Sequence, residues 1–340
     1  SAHSAKNLKA ELIYVGQGHP ADLFGRNLEG KIAVMLANLQ PDGFFQTARG
    51  YAEPLVEKGA VGVLIVMESP GNWQYALEDM GSAEVPSLVL GGDDGRFVIA
   101  AIEAAGEDTP LSARVSLTTE IRPSWEGKNV RGTVAGQTDE WMVIVSHLDG
   151  YFDSANDNGA GLASLLALAN HYASRDEKPV RNMMFVGTSG HHEYSDGADA
   201  FIRDHEDILK KSVAVMNIEH PASVMSYLRG ELVFKNFTLP GQLNTTTTHG
   251  SRSLNISNRN ELLISFYREA IDRYGLVVDS MLERSPPTGD AIAFFTAGNT
   301  VMQILDANVW YHSDGDTIDT IPGVGVARAT RVYAWVLDEI

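Results

Sequence analysis

Residues 182 to 201 read NMMFVGTSGHHEYSDGADAF. The run Asn182 to Gly187 has the length of a strand and is apolar on both faces, the pattern of a strand covered from both sides. It empties through Thr188, Ser189 and Gly190 into His191 and His192, followed at once by Glu193. Three groups able to bind metal or move protons therefore stand at one strand end.

Three more runs of this kind lie around it: Trp141 to Ser146 (WMVIVS), Ser212 to Ile218 (SVAVMNI) and Thr300 to Leu305 (TVMQIL). Helical patterns separate them, and Glu261 to Tyr274 is an amphipathic helix. Repeated strand-then-helix units predict an α/β fold with a mostly parallel, doubly wound sheet. The exits carry polar residues: His147-Leu148-Asp149 after the first run, Asp157 in SANDNGAG at the mouth of the next helix, Glu219-His220 after Ile218, and Tyr311-His312 beyond Leu305. Ligands bind outside the carboxyl ends of strands in open parallel sheets, so these groups are expected to meet.

The preceding block, residues 8 to 120, is a smaller β/α unit. Strands are expected at Lys31 to Leu36, Val61 to Met67 and Pro86 to Leu90, and helices at Ala52 to Lys58 and Arg96 to Ala105. Ser112 to Thr118 and Asn129 to Val134 alternate as half-exposed strands do, with a turn at Pro123 to Gly127. No histidine or carboxylate cluster follows a strand in this block, and its chemistry is silent. A chain of 340 residues fits about two domains: residues 8 to 120 and residues 125 to 340.

Composition narrows the partners. With 44 acidic against 26 basic residues and a net charge of -18, nucleic acid and anionic membrane surfaces are repelled at long range. No apolar run reaches the ~20 residues of a membrane span, and SAHSAKNLKAEL has no charged-then-apolar signal pattern. The absence of cysteine removes thiolate ligands and a cysteine nucleophile and leaves metal binding to histidine and carboxylate. Such donors suit Zn, Mn, Co or Fe, with Zn the default. A lone histidine at a strand end is commonly structural, and a lone Asp before a helix is commonly an N-cap. Five such residues at successive exits of one sheet argue instead for a metal centre. Asp157, between the histidine-bearing exits, is the best carboxylate to bridge two cations ~3.5 to 4 Å apart.

These motifs resemble the zinc aminopeptidases of the M28 type. His147-x-Asp149, the NDNG turn holding Asp157, Asp290 with Phe294, and YHSDGDTID around Tyr311 and His312 occur in the family's order. GKIAVML, AEPLVEKGAVGVLIV and VPSLVL in the first block resemble a protease-associated domain. The resemblance implies a zinc-exopeptidase-type sheet, a peptide or small amide substrate and an extracytoplasmic (periplasmic or secreted) location. It implies metal ligation by His147, Asp157 and Glu219 at one site and by Asp157, His192 and His312 at the other. Asp149 would orient His147 by accepting its other N–H.

Two departures fall at the chemistry. Where the family has Gly-Glu-Glu, this chain has Gly190-His191-His192, so His192 replaces a ligand and His191 the general base, with Glu193 the competing base. Where the family has Asn-x-Asp, this chain has Asn217-Ile218-Glu219. Replacing a carboxylate by neutral imidazole raises the total charge of metals plus ligands by one, which acidifies a bound water and makes a second divalent cation harder to hold. His220 is expected beside the ligands rather than among them, and Tyr311 is expected to donate to an oxyanion. Three readings follow: a metal-dependent hydrolase of peptide or amide bonds, a single-zinc enzyme acting on a small amide or amine as glutaminyl cyclases do, or a retired peptidase fold used for binding. Thr245 to Thr248 and His249 form a polar loop that could line the entrance.

Overall fold

The computed structural model describes residues 3–38, 52–69, 71–76, 84–106, 108–120, 124–222, 226–229, 232–235, 253–257, 260–278, 280–282, 286–306 and 310–340. The polar loop of Thr245 to Thr248 and His249 lies outside them. The chain divides into two compact units. The first comprises Ser1–Trp125, Leu228–Phe234 and His312–Gly315; the second comprises Glu126–Tyr227, Lys235–Tyr311 and Asp316–Ile340.

In the first unit the strands are β1 (Ala5–Tyr14), β2 (Ile32–Asn38), β3 (Gly62–Glu68), β4 (Ser87–Leu90) and β5 (Ser112–Leu117), in the order β4-β3-β2-β1-β5. All neighbours are parallel except β5 against β1. Alternate residues of β3 face opposite sides. Val63, Ile65 and Met67 pack with Leu55 of α1 (Ala52–Glu57), and Leu64 and Val66 pack with Val98, Ile99 and Ile102 of α2 (Gly92–Ala105). Helix α2 begins four residues before its expected start, at Gly92, where Asp93 and Asp94 complement the positive helix end.

Two pieces expected in the second block belong to this unit instead. The reason for one is backbone pairing. Tyr75 and Ser313 form an antiparallel bridge. Ala76 N–H donates to the His312 carbonyl at 2.8 Å and Asp314 N–H to the Gln74 carbonyl at 3.0 Å.

The strands of the second unit are β6 (Val130–Val134), β7 (Trp141–His147), β8 (Asn182–Thr188), β9 (Ser212–Ile218), β12 (Ser253–Ile256), β13 (Ser280–Leu282) and β14 (Val301–Leu305). Their order is β13-β12-β14-β9-β7-β8-β6. Among the described residues, the short strands β10 (Ser226–Arg229) and β11 (Leu232–Lys235) form a two-stranded sheet of their own. The large sheet is parallel except where β6 meets β8 and β12 meets β14. This is the expected doubly wound architecture with antiparallel pairs added.

Strands β7 and β8 are buried from their second residue onward. Met142 and Ile144 of β7 pack against α3 (Ala160–Ala173), α6 (Glu261–Tyr274) and α8 (Gly323–Glu339) on one face. Val143 and Val145 pack against α4 (Asp196–Asp204) and α7 (Asp290–Thr296) on the other, with α5 (Glu206–Leu209) beside them. Register then sets the site. Val145 is level with Asn217 across β7 and β9, and His147 with Thr188 across β7 and β8. His147, the residues after Thr188, and Glu219 therefore emerge side by side at the carboxyl edge.

Candidate metal centre

Two groups of buried ligand-type side chains form in the second unit: His147, Glu219 and His220, and His147, Asp157 and His192. In each group the ligand atoms lie within 4.8 Å of one another. Asp157 faces histidines with both oxygens. Its Oδ1 is 3.1 Å from His147 Nε2 and 2.8 Å from His220 Nε2, and its Oδ2 is 3.6 Å from His192 Nε2. A carboxylate turned to separate imidazoles in this way has the disposition a bridging ligand needs.

The His147 ring reports its own tautomer. Its Nδ1 stands 2.8 Å from the Asp149 main-chain carbonyl, which can only accept, so Nδ1 carries the proton. In the neutral ring Nε2 is then a lone pair, buried without a hydrogen-bond partner and 3.1 Å from Asp157 Oδ1. Two acceptors pressed together in a buried site repel unless a proton or a cation sits between them. The donor set, nitrogen and carboxylate oxygen without sulfur, fits zinc or a related divalent ion.

Asp149 meets His147 through its backbone rather than its carboxylate. Its main-chain carbonyl takes the His147 proton, while its Oδ1 and Oδ2 accept the main-chain N–H groups of His191 at 3.2 Å and His192 at 3.3 Å. Asp149 thus fixes the turn that presents both histidines. The expected division of ligands also differs, because the two groups share His147 and neither contains His312. His312 has a left-handed φ of 59° and lies in the segment that joins the first unit.

Carboxylates and amides anchor the remaining groups. Glu219 Oε2 accepts from Asn217 Nδ2 at 2.8 Å and Gln303 Nε2 at 3.4 Å, and Glu219 Oε1 is 3.8 Å from His191 Nε2. His191 donates through Nδ1 to Asp290 Oδ1 at 2.9 Å, and Thr188 donates to the other oxygen of Asp290. The His191 ring lies flat on the His147 ring, with centroids 3.8 Å apart. Asp316 accepts the main-chain N–H groups of Asn156 and Asp157 at 2.9 and 3.1 Å, holding the π-helical turn Ala155–Gly159 that carries Asp157.

The electrostatics follow from these contacts. Burial opposes charge on His191, but Glu219 and the Asp290 bond outweigh it and push its pKa up to about 10 in the metal-free protein. Burial likewise opposes the Asp290 anion, and the bond from His191 overrides it to bring the pKa down to about 2. On His220 burial is outweighed by Asp157, and the pKa rises.

The other two expected catalytic residues, Glu193 and Tyr311, differ in their placement. Glu193 is exposed in the turn after Gly190 and belongs to neither group. Tyr311 is beside His220, with ring centroids 5.3 Å apart. Asp290 and Asp316 emerge as supporting residues. Asp290 pairs with Phe294 in one of the family-like motifs and Asp316 lies in YHSDGDTID, but nothing local reveals what their carboxylates hold.

The family model described as Peptidase family M28 matches residues 129–336. Among solved structures, a peptidase M28 precursor from Shewanella amazonensis SB2B is 20% identical, with a TM-score of 0.69, over 98% of this chain and 74% of that one. A zinc aminopeptidase from Bacillus subtilis is 18% identical, with a TM-score of 0.65, over 97% and 74%. At these identities the likeness shows a shared fold. A vacuolar membrane protease of Schizosaccharomyces japonicus is 36% identical over 107 residues, 30% of this chain, and the match spans only 12% of that protein. The family match covers more than half of the 340 residues, including the whole ligand-bearing sheet edge, and the chain belongs to peptidase family M28.

Proposed function

We propose that the protein is a metal-dependent hydrolase of peptide or small amide bonds, acting in the manner of an aminopeptidase. The observation that carries this reading is His147 Nε2, buried without a hydrogen-bond partner and held 3.1 Å from Asp157 Oδ1. His147, Asp157, His192 and Glu219 are the ligands it proposes. These residues would hold a divalent ion, which would supply water acidification and polarisation of the scissile carbonyl.

His191 is the general base of this reading. Asp290 holds its Nδ1 proton, so in the neutral ring Nε2 is the basic atom, turned toward Glu219 Oε1 at the edge of the cluster. Were Glu219 to hold a cation, the charge that raises the His191 pKa would be offset and the ring would move toward the neutral form a base requires. Glu193 is a weaker choice because the turn exposes it. The residues of the turn itself need not move for proton transfer, since Asp149 holds them.

One observation favours a second reading. The two groups share His147, so two ions would compete for one imidazole, and a single-zinc enzyme acting on a small amide or amine satisfies the same geometry. Zinc-loaded protein incubated with a panel of aminoacyl p-nitroanilides and dipeptides tests the first reading, and zinc counted per chain separates it from the second. Turnover with two ions supports the hydrolase as proposed. Turnover of none of these substrates would overturn it.

A further inference from the structure

The group of His147, Glu219 and His220 contains a histidine, His220, that the family pattern does not supply. We infer that His220 is itself a metal ligand, so that the exit of β9 contributes two adjacent ligands, Glu219 and His220, to an ion shared with His147. This rests on the metal-dependent reading above and extends its ligand set.

Three observations carry it. First, one ligand atom from each of His147, Glu219 and His220 lies within 4.8 Å of the others, and all three residues are buried. Second, His220 is 1% exposed, its Nε2 bonds Asp157 Oδ1 at 2.8 Å, and its Nδ1 is buried with no hydrogen-bond partner. With the Nε2 proton given to Asp157, the neutral ring keeps its lone pair on Nδ1. A buried lone pair with no donor against it is costly, and a cation removes the cost. The arrangement carboxylate–imidazole–metal is also how metal-binding histidines are commonly oriented, one ring nitrogen bonded to a carboxylate and the other to the ion.

Third, the backbone of His220 is held in place by several elements at once. Its φ of 45° is left-handed, a conformation a histidine adopts only at a cost. Its N–H donates to Asn158 Oδ1 at 3.2 Å, and its carbonyl accepts from Asp306 at 2.9 Å. Asn158 is fixed in turn through Nδ2, by Ser146 Oγ at 3.0 Å and the Ile218 carbonyl at 3.1 Å. Strained backbone pinned on several sides fits a side chain that must point one way, as a ligand must.

The absence of cysteine from the chain makes a direct test available. His220→Cys introduces the only thiol, and a thiolate bound to zinc scatters at ~2.3 Å. X-ray absorption at the zinc edge of zinc-loaded His220→Cys is expected to show that sulfur. Zinc bound without a sulfur neighbour would overturn the inference. In parallel, His220→Gln is expected to lose zinc affinity by at least ~100-fold, beyond the ~10- to 100-fold typical of residues that merely orient ligands. Wild-type-like affinity in a folded His220→Gln would count against ligation while leaving the metal-dependent reading intact. A wild-type protein that binds no zinc would bring down both.

Discussion

Asp290 accepts the Nδ1 proton of His191 at 2.9 Å, although the two residues lie 99 positions apart. The bond fixes which ring nitrogen of His191 can act on substrate, and it leaves Nε2 on the side of Glu219. Asp290→Asn should therefore keep the metal and lose the correct tautomer. The expected result is a fall in kcat toward that of His191→Ala, itself ~10²- to 10⁴-fold below wild type, with zinc content unchanged in both. A variant that turns over normally would show that His191 is not the base, and Glu193→Ala would become the informative comparison.

The same pair makes a prediction for acid stability. The folded pKa of Asp290, about 2, lies below its usual value of 3.8. A depressed carboxylate contributes stability that is present above the unfolded value and is lost as pH falls through the folded one. Metal-free wild type should thus exceed Asp290→Asn in stability by on the order of 2 kcal/mol at pH 5, and the gap should close between pH 4 and about pH 2. Denaturant titrations of both proteins across that range measure it, and a gap independent of pH would refute the assignment.

Gly289, just before α7, has a φ of 59°, and a Cβ built there would collide with the Glu219 carboxylate. The position therefore needs glycine twice, for backbone freedom and for the space that Glu219 occupies. Gly289→Ala should displace Glu219 and reduce zinc affinity by ~10- to 100-fold in a protein that still folds. Competition against a chromogenic chelator reads the affinity directly. An unchanged constant would mean that Glu219 can shift without cost and is not held as a ligand.

The fold was largely legible because β7, β8 and β9 are continuous apolar runs, the signature of strands covered on both faces. Strand β1 was not foreseen, since AKNLKAELIY mixes charge through its length and only its pairing with β2 and β5 gives it order. At the site, strand exits pointed to His147, Asp157, His192 and Glu219 because a parallel sheet brings its carboxyl ends together. What those residues lean on was hidden. Asp316 reaches across 160 positions to the turn of Asp157, and Asp149 bonds two backbone N–H groups that no spacing rule names. Side-chain direction after a turn depends on tertiary contacts, and His220 illustrates it through a left-handed φ that apolar periodicity cannot encode.

The Asp316 bonds carry a prediction of their own. Asn156 and Asp157 are fully buried, and their main-chain N–H groups are both satisfied by this one carboxylate. Asp316→Ala would strand buried donors, costing ~1 to 3 kcal/mol, and would loosen the turn that aims Asp157. Loss of stability alone would be unremarkable for a buried substitution. The specific expectation is that zinc affinity falls as well and that added zinc restores part of the lost melting temperature.

Metal removal supplies the broadest check, because the cluster gathers acceptors that oppose one another when no cation is bound. His147 Nε2 and Asp157 Oδ1 at 3.1 Å are the clearest pair. Zinc at a hundred times its dissociation constant should stabilise the fold by about 2.7 kcal/mol relative to chelator-treated protein. His147→Ala removes the residue common to both groups and should abolish nearly all of that difference, while an exposed histidine variant such as His3→Ala should preserve it. Hydrogen exchange would locate the effect, with added zinc protecting the turn from Ala155 to Gly159 and the His191 and His192 amides more than the first unit. Identical melting curves for wild type with zinc and with chelator would leave the lone-pair argument without support, since the repulsion it describes would then be relieved by protons alone.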